Sequence, residues 1–510
     1  MDAPAWVGLV AAAPLALLAA LVLATRAGLG VSAWTVAATT AALAGTTFGL
    51  RPGPLAYAAA KGAWTGVWIL LIVVPALLLF QVAESSGAFE VLSGALETVA
   101  PTRGRLLLLV AWVFPSFLQG VAGFGVPVVI AAPMLVRAGM QPVAAVVACF
   151  VGYHWAVTFG SMGSSFFVAA GAAQLDASEA AAFALRAAGL LAVHAVAAGL
   201  WLLAGGARSE LRQALPHALA IGAVMGGTLV GVAVTQPALA STTAGLAGLG
   251  AAALLLPERG KRPDWGTLLR ATAPYLLLCA LVLAAFGVPP VKALAGKIPP
   301  VAPAFPLTRA AFGHVNAAVP EHQPLRPLLH PGVYLLIAAG ASALGYRRLG
   351  GQARAIATGE VARAWLRNSR TAAVSLIGLT VLAGVMVDAG MIEALAGSLT
   401  RALGPAYAAL APAVGAVGTV MTNSTTAANA LLAPLQASAA GRLGLPEPTL
   451  LAAQTVGGSV GKILAPVDAL VAITAAGSPG EEGAVLRAGL LPTLLLVLLA
   501  SAGTWLLTLW

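Results

Sequence analysis

Runs of about twenty apolar residues recur from one end of the chain to the other, separated by short polar or Gly/Pro-containing joints. They fall at about residues 5–25, 31–50, 62–83, 104–118, 141–160, 179–204, 215–234, 237–256, 266–287, 331–347, 370–387, 404–421, 448–464 and 484–509. A helix needs ~20 mainly apolar residues to cross a bilayer. The runs are rich in Ala, Leu and Gly and do not alternate with a period of two, so they predict helices rather than barrel strands. The reading is an all-α polytopic membrane protein with about 12–14 transmembrane helices. The one long hydrophilic connection, about 289–330, is broken by Pro289, Pro290, Pro299, Pro300, Pro303, Pro306 and Pro320. It predicts an irregular loop outside the membrane.

Composition sharpens this picture. Of 510 residues, 60% are hydrophobic and 9% charged, with a mean hydropathy of +0.93. A soluble domain carries roughly 25% charged residues, so lipid must cover most of the surface. The formal charge of +10 points to cytoplasmic loops and anionic headgroups rather than to nucleic acid. Arg208 and Arg212, then Arg259, Lys261 and Arg262, then Arg347 through Arg370 occupy alternate loops. The positive-inside rule makes that side cytoplasmic and the Pro-rich loop external. Cys149 and Cys279 lie in apolar runs, so no disulfide framework or metal cluster is expected. The apolar N-terminus lacks a basic n-region and reads as a first span rather than a cleaved signal. No nucleophile–base set, metal spacing or phosphate loop is present, which predicts a non-enzyme without cofactors.

The chain resembles itself. ESSGAFEVLSGALE (84–97) is echoed by VDAGMIEALAGSLT (387–400), with Gly87/Gly390, Glu90/Glu393, Leu92/Leu395, Gly94/Gly397 and Leu96/Leu399 at one constant spacing. Further on, GMQP (139–142) parallels GLPEP (444–448), and Gly152/Gly458 and Gly171/Gly477 keep a common spacing. Common origin of two halves is the reading, since transporter folds are often built from internal repeats. The organisation expected is a first helix over 1–30, repeat 1 over 31–204, inserted helices and the Pro-rich loop over 205–330, and repeat 2 over 331–510. The short charged pieces at 88–100 and 391–402 read as amphipathic helices lying in the interface.

Each half carries one interrupted apolar stretch. The first, about 119–139, holds Gly120, Gly123, Gly125, Pro127 and Pro133; the second, about 422–437, opens with TNSTTAAN. Both suit re-entrant hairpins, because irregular backbone at membrane depth must line protein or a wet cavity. Broken helices at matching places in two repeats point to a transport site. Half-helix N-termini there would aim N–H groups and positive dipole ends at an anion, and a monocarboxylate suits the arrangement. The competing reading is close helix packing through small residues. It is weaker for the second stretch, where five of the seven residues from Asn423 to Asn429 are polar. His154, mid-span, reads as a proton-linked group or as a neutral ring bonded to a carbonyl; His194 reads as packing. Lys462 would cost ~2.5–3.5 kcal/mol at a helix centre. It would pair with Asp468 or Asp388, neutralise a substrate anion, or snorkel to the interface.

QGVAGFGVPVVIAAPMLV (119–136), AVTFGSMG (156–163), TNSTTAANALLAPLQ (422–436) and QTVGGSVGKILAPVD (454–468), with Trp34-Thr35-Val36 near the start, resemble the L-lactate permease family from about residue 31 to the C-terminus. The resemblance implies uptake of L-lactate and glycolate by proton symport in a prokaryotic cytoplasmic (inner) membrane. It also implies two repeats of inverted topology with paired re-entrant hairpins, whereas the span count alone makes them parallel. Two positions depart from the family pattern: Gln119 stands where Glu is common, and Thr425 where some members carry Asp. The expected substrate contacts are Gln119, Gly123, Phe124, Gly125, Asn423, Ser424, Thr425, Thr426, Asn429, Gln454, Thr455 and Lys462, with His154 handling the coupled proton. Expected partners are a small organic acid, a proton, membrane lipids and a second copy of the chain, with no nucleic acid. A carrier of another organic anion (a dicarboxylate or sulfonate, with Na⁺ coupling) is the alternative; a non-transporting sensor or scaffold ranks below both.

Overall fold

The computed structural model describes residues 4–24, 28–88, 91, 103–121, 125–204, 208–256, 265–348 and 358–509. Gly123 and Phe124, the charged piece at 89–100 apart from residue 91, and the basic cluster at 259–262 lie outside the described residues. The chain is helical almost throughout. The helices in order are α1 (Ala5–Ala24), α2 (Leu29–Thr46), α3 (Pro52–Ser85), α4 (Gly104–Val121), α5 (Val126–Arg137), α6 (Pro142–Tyr153), α7 (Gly160–Ala172), α8 (Ala177–Ala204), α9 (Arg208–Ala233), α10 (Ala240–Leu255) and α11 (Trp265–Gly287). After the Pro-rich loop follow α12 (Pro331–Arg348), α13 (Thr358–Asp388), α14 (Met391–Leu403), α15 (Tyr407–Thr422), α16 (Thr425–Leu443), α17 (Glu447–Gly461), α18 (Pro466–Ala475) and α19 (Glu482–Leu507). Among the described residues, eight helices are long and apolar enough to cross a membrane, or ten if each of two bent pairs counts as one span. Shorter apolar helices at Trp6–Val22, Val126–Arg137, Thr272–Ala285 and Pro331–Tyr346 add to these. The protein is a multi-pass membrane protein.

The two halves run through the same elements. The series α3, α4, α5, α6, α7, α8 is matched by α13, α15, α16, α17, α18, α19. The joints match as well: Gly87 and Gly390 both take φ of 76°, and Gly139 and Gly444 both turn the chain in the left-handed region. Glycine tolerates that region because it has no Cβ. The broken stretches are larger than the sequence predicts. The run at 104–118 is not a separate span but the first arm of a hairpin whose second arm is α5. In the same way α15 and α16 fold back on each other around Asn423, which sits at φ 55°.

A second pair of breaks follows. The helix through Ala156 bends by 56° into α7, and the helix through Leu464 bends by 44° into α18. Each of these broken helices packs closely on the first hairpin arm of its own half. A Cβ on Gly152 would run into the Ala111 carbonyl, and one on Gly457 into the Pro412 carbonyl. Between halves the packing is reciprocal: α16 lies on α7 while α5 lies on α18, and α8 lies on α17 while α19 lies on α6. α3 and α13 pack together along their length. Each broken helix is therefore flanked by the other half's hairpin.

The Pro-rich connection forms a small structured cap. Thr308–Arg309 pairs antiparallel with Val315–Asn316, and bridges Val301–Leu325 and Phe305–Val319 extend the ladder. Trp64 Nε1 donates to the Gln323 carbonyl at 3.1 Å, and Ala311 N donates to the Phe48 carbonyl at 2.7 Å. These bonds hold the cap against α3 and the end of α2.

Candidate functional site

The polar residues of the second hairpin tip converge on the breaks. At the start of α16, Ser424 caps the helix by accepting from Ala427 N at 3.3 Å. The next turn projects into the other half. Thr426 Oγ1 lies 2.9 Å from Ser165 Oγ and 3.2 Å from Ser164 Oγ. Asn429 Nδ2 donates to the Ser165 carbonyl at 2.9 Å and to Thr455 Oγ1 at 2.8 Å. Thr158, at the first break, stands 2.8 Å from Ser459 Oγ and 3.2 Å from Thr455 Oγ1. Thr425 Oγ1 donates to the Gly458 carbonyl at 3.0 Å. Apart from Ser424, which is half-buried, these side chains are all buried. The result is a cluster of hydroxyls and one amide, drawn from both halves and set where two helices are interrupted.

The backbone at the first break is unusual. Ser161, Met162 and Gly163 take φ of 47°, 59° and 73°, one left-handed turn of three residues. Such a conformation costs roughly 1–2 kcal/mol per non-glycine residue. Its effect is to turn the chain so that Ser164 and Ser165 face Thr426.

A charged lock sits beside the cluster. Lys462 Nζ lies 2.5 Å from Asp468 Oδ2 and donates to the Asn423 carbonyl at 2.9 Å. Asn423 Nδ2 donates to Asp468 Oδ1 at 2.8 Å, and Asn423 Oδ1 accepts from Val467 N at 3.0 Å. The hairpin tip thus caps the N-terminus of α18, where Asp468 also suits the positive dipole end. From the other side comes the first hairpin. Gly125, at φ 78°, is so close that a Cβ there would sit 3.4 Å from Asp468 Oδ1. The two hairpin tips therefore meet through one carboxylate.

The remaining expected residues divide. Gln119 is buried against Gly160, with its Oε1 unpaired among the described residues. Thr455 is central, whereas its neighbour Gln454 belongs to a different chain of bonds, accepting from Gln436 Nε2 at 3.0 Å while Gln436 accepts from Tyr407 at 3.0 Å. His154 is fully buried in the bend after α6. Its Nδ1 is 2.7 Å from the Val151 carbonyl and its Nε2 is 3.0 Å from His194 Nδ1. A carbonyl only accepts, so Nδ1 of His154 carries hydrogen; in the neutral pair Nε2 then accepts from His194. His194 Nε2 is left as an open buried acceptor. The packing role expected of His194 is thus corrected to a direct partnership with His154. Of the partners open to Lys462, the structure selects Asp468, and Asp388 belongs to Lys61 at 2.8 Å.

Sequence reasoning did not single out Thr158, Ser164, Ser165 or Ser459. The signal was there: they lie inside AVTFGSMGSS and GGSVGK, and Thr455 and Ser459 share a helix face at a spacing of four.

The family model for L-lactate permease matches residues 8–509. The chain belongs to the L-lactate permease family. The L-lactate permease of Escherichia coli is 28% identical over 478 residues, covering 84% of this chain and 82% of that one. The L-lactate permease of Halalkalibacterium halodurans is 27% identical over 509 residues, covering 92% and 90%. The glycolate permease GlcA of Escherichia coli is 27% identical over 492 residues, covering 86% and 84%. Among solved structures, the YdaH transporter of Alcanivorax borkumensis, described as having an unusual topology, matches with a TM-score of 0.48 at 20% identity, covering 94% of this chain and 97% of that one. These relatives in the L-lactate permease family are named as permeases, not as enzymes.

Proposed function

We propose that this chain is a secondary active carrier of short 2-hydroxy monocarboxylates, L-lactate and glycolate, working by proton symport in a prokaryotic cytoplasmic membrane. The names of the relatives bring lactate and glycolate into view, and the side chain of Asn429 supplies the physical reason. Both of its bonds run from Nδ2 to acceptors, which fixes the amide orientation and leaves Oδ1 buried without a partner among the described residues. An unpaired buried acceptor costs ~1–3 kcal/mol. The 2-hydroxyl of lactate is a donor of the right kind for it. The hydroxyls of Thr158, Ser164, Ser165 and Thr426 then serve the carboxylate. Two inverted repeats, each with a re-entrant hairpin, would carry this shared site from one side of the membrane to the other.

Charge accounting favours symport. Lys462 and Asp468 cancel each other, so an entering anion adds a full negative charge unless a proton accompanies it. Gln119 and Thr425 are neutral at the two positions where the family often has carboxylates. The His154–His194 pair offers a buried open acceptor, Nε2 of His194, and takes the proton in this reading. Uptake of radiolabelled lactate and glycolate into proteoliposomes tests this. Uptake driven by an inward proton gradient and lost in His154→Ala supports the reading; uptake indifferent to the gradient, or dependent on Na⁺ with no response to lactate, rejects it.

A further inference from the structure

A second charged site lies across the seam of α3 and α13, apart from the hydroxyl cluster. Lys61 Nζ sits 2.8 and 3.2 Å from the two carboxylate oxygens of Asp388, and both residues are buried. The helices meet at glycines here: a Cβ on Gly62 would strike the backbone of Thr380, and one on Gly384 the Ala58 carbonyl. The cap covers the pair. His322 Nε2 lies 3.2 Å from Thr65 Oγ1, and the Phe305 ring centre is 5.6 Å from the Lys61 ammonium.

Between helices and cap is a cavity of about 50 Å³ whose walls include Lys61, Thr65, His322, Asp388, Gly171 and Ala430. Its far wall is the back of the transport cluster. Ala430 follows Asn429, and Gly171 belongs to α7, which carries Ser164 and Ser165. The cavity thus has the cap on one side and, among its other walls, near neighbours in the chain of residues that would hold substrate.

A lysine ammonium has three donors, and both hydrogen bonds that the Lys61 ammonium makes among the described residues go to one carboxylate of the protein itself. Buried ion pairs are often no more stabilising than well-packed apolar residues, so a pair held at the wall of a cavity calls for another use. We propose that Lys61 is a second carboxylate-binding site on the approach to the main one, where a small monocarboxylate takes the ammonium in exchange for Asp388. The proposal rests on the reading of the chain as a monocarboxylate carrier. The cavity exceeds the ~10–15 Å³ that holds a single water, which leaves room for a carboxylate head. The rest of a three-carbon acid enters as the Asp388 side chain swings aside. His314, packed on Gly390 and bonded to Glu393 at 2.8 Å, is the basic group next to the displaced carboxylate; Glu393 also reaches Arg442 at 3.5 Å.

Alkylation of Thr65→Cys, whose side chain lines the cavity, tests this in a background where Cys149 and Cys279 are replaced by alanine. With L-lactate at about five times its Kd, labelling by a small maleimide should slow roughly sixfold, while chloride at equal ionic strength should leave it unchanged. Adding Lys61→Gln with Asp388→Asn removes both charges together, so a merely structural pair is lost without stranding either one. In that background, checked for a monodisperse fold by gel filtration, protection by lactate should vanish, whereas Lys61→Arg alone beside Thr65→Cys should retain it. Unchanged labelling in lactate, or undiminished protection in the double variant, overturns the proposal. Lactate uptake measured in parallel separates the two readings. Uptake without protection removes this site and leaves the carrier; protection without uptake keeps the site and removes the carrier.

Discussion

Asn429 donates to the backbone carbonyl of Ser165 at 2.9 Å, so the hairpin tip of the second half hangs on the broken helix of the first. The same amide holds Thr455 at 2.8 Å. One side chain therefore joins three of the four interrupted segments, and its oxygen is buried with no partner among the described residues.

The proposed role of that oxygen predicts selectivity for the 2-hydroxyl. A site built to bond a hydroxyl rejects the analogue lacking it far more strongly than an apolar pocket rejects an added one. Competition of propionate against labelled L-lactate should show a preference for lactate of at least about tenfold, or ~1.4 kcal/mol. Asn429→Ala should reduce lactate uptake and erase most of that preference.

The Lys462–Asp468 pair is buried at both ends, with side-chain exposures of 7% and 9%. Asp468→Asn strands a buried ammonium, a change that typically costs 3–5 kcal/mol. Thermal unfolding in detergent should show a large fall in Tm for this variant and a much smaller one for Lys462→Met combined with Asp468→Asn. Equal falls would mean that the pair is not the lock described.

Strain at the first break is open to a stabilising test. Ser161 holds φ at 47° without the freedom of glycine. Ser161→Gly relieves about 1 kcal/mol of backbone strain that Ser161→Ala, which removes the same hydroxyl, keeps, so the glycine variant should show the higher Tm of the two.

The cap has its own pH dependence. Burial lowers the pKa of His330 from 6.5 to about 4, and its Nδ1 accepts from Gly332 N at 3.3 Å. The folded state therefore favours the neutral ring. Its contribution is complete above pH 6.5 and is lost as pH falls toward 4, by an amount on the order of 3 kcal/mol. His330→Asn should flatten the decline of Tm between pH 6.5 and 4; an unchanged slope would remove His330 as its source.

Much of the fold was legible because membrane helices announce themselves by length and apolarity. The left-handed glycines at 87, 139, 390 and 444 stand at the joints that the internal resemblance picks out. The breaks at 157–159 and Ala465 were hidden, since neither stretch loses its apolar character where the helix stops. Within the site, TNSTTAAN stood out by polarity in an apolar context. Its partners Ser164 and Ser165 did not, because single hydroxyls in Gly/Ala-rich helices are common. Pairings such as Lys61 with Asp388, or His154 with His194, depend on which helices meet, and periodicity along one helix carries no such information.

The central claim is that both halves enclose one 2-hydroxy monocarboxylate, and a structure of the lactate-saturated protein in nanodiscs measures it most directly. The account predicts density in contact with Asn429 Oδ1, with its carboxylate among Thr158, Ser165 and Thr426. A well-resolved map with that space filled by side chains, and lactate bound only elsewhere, would contradict it.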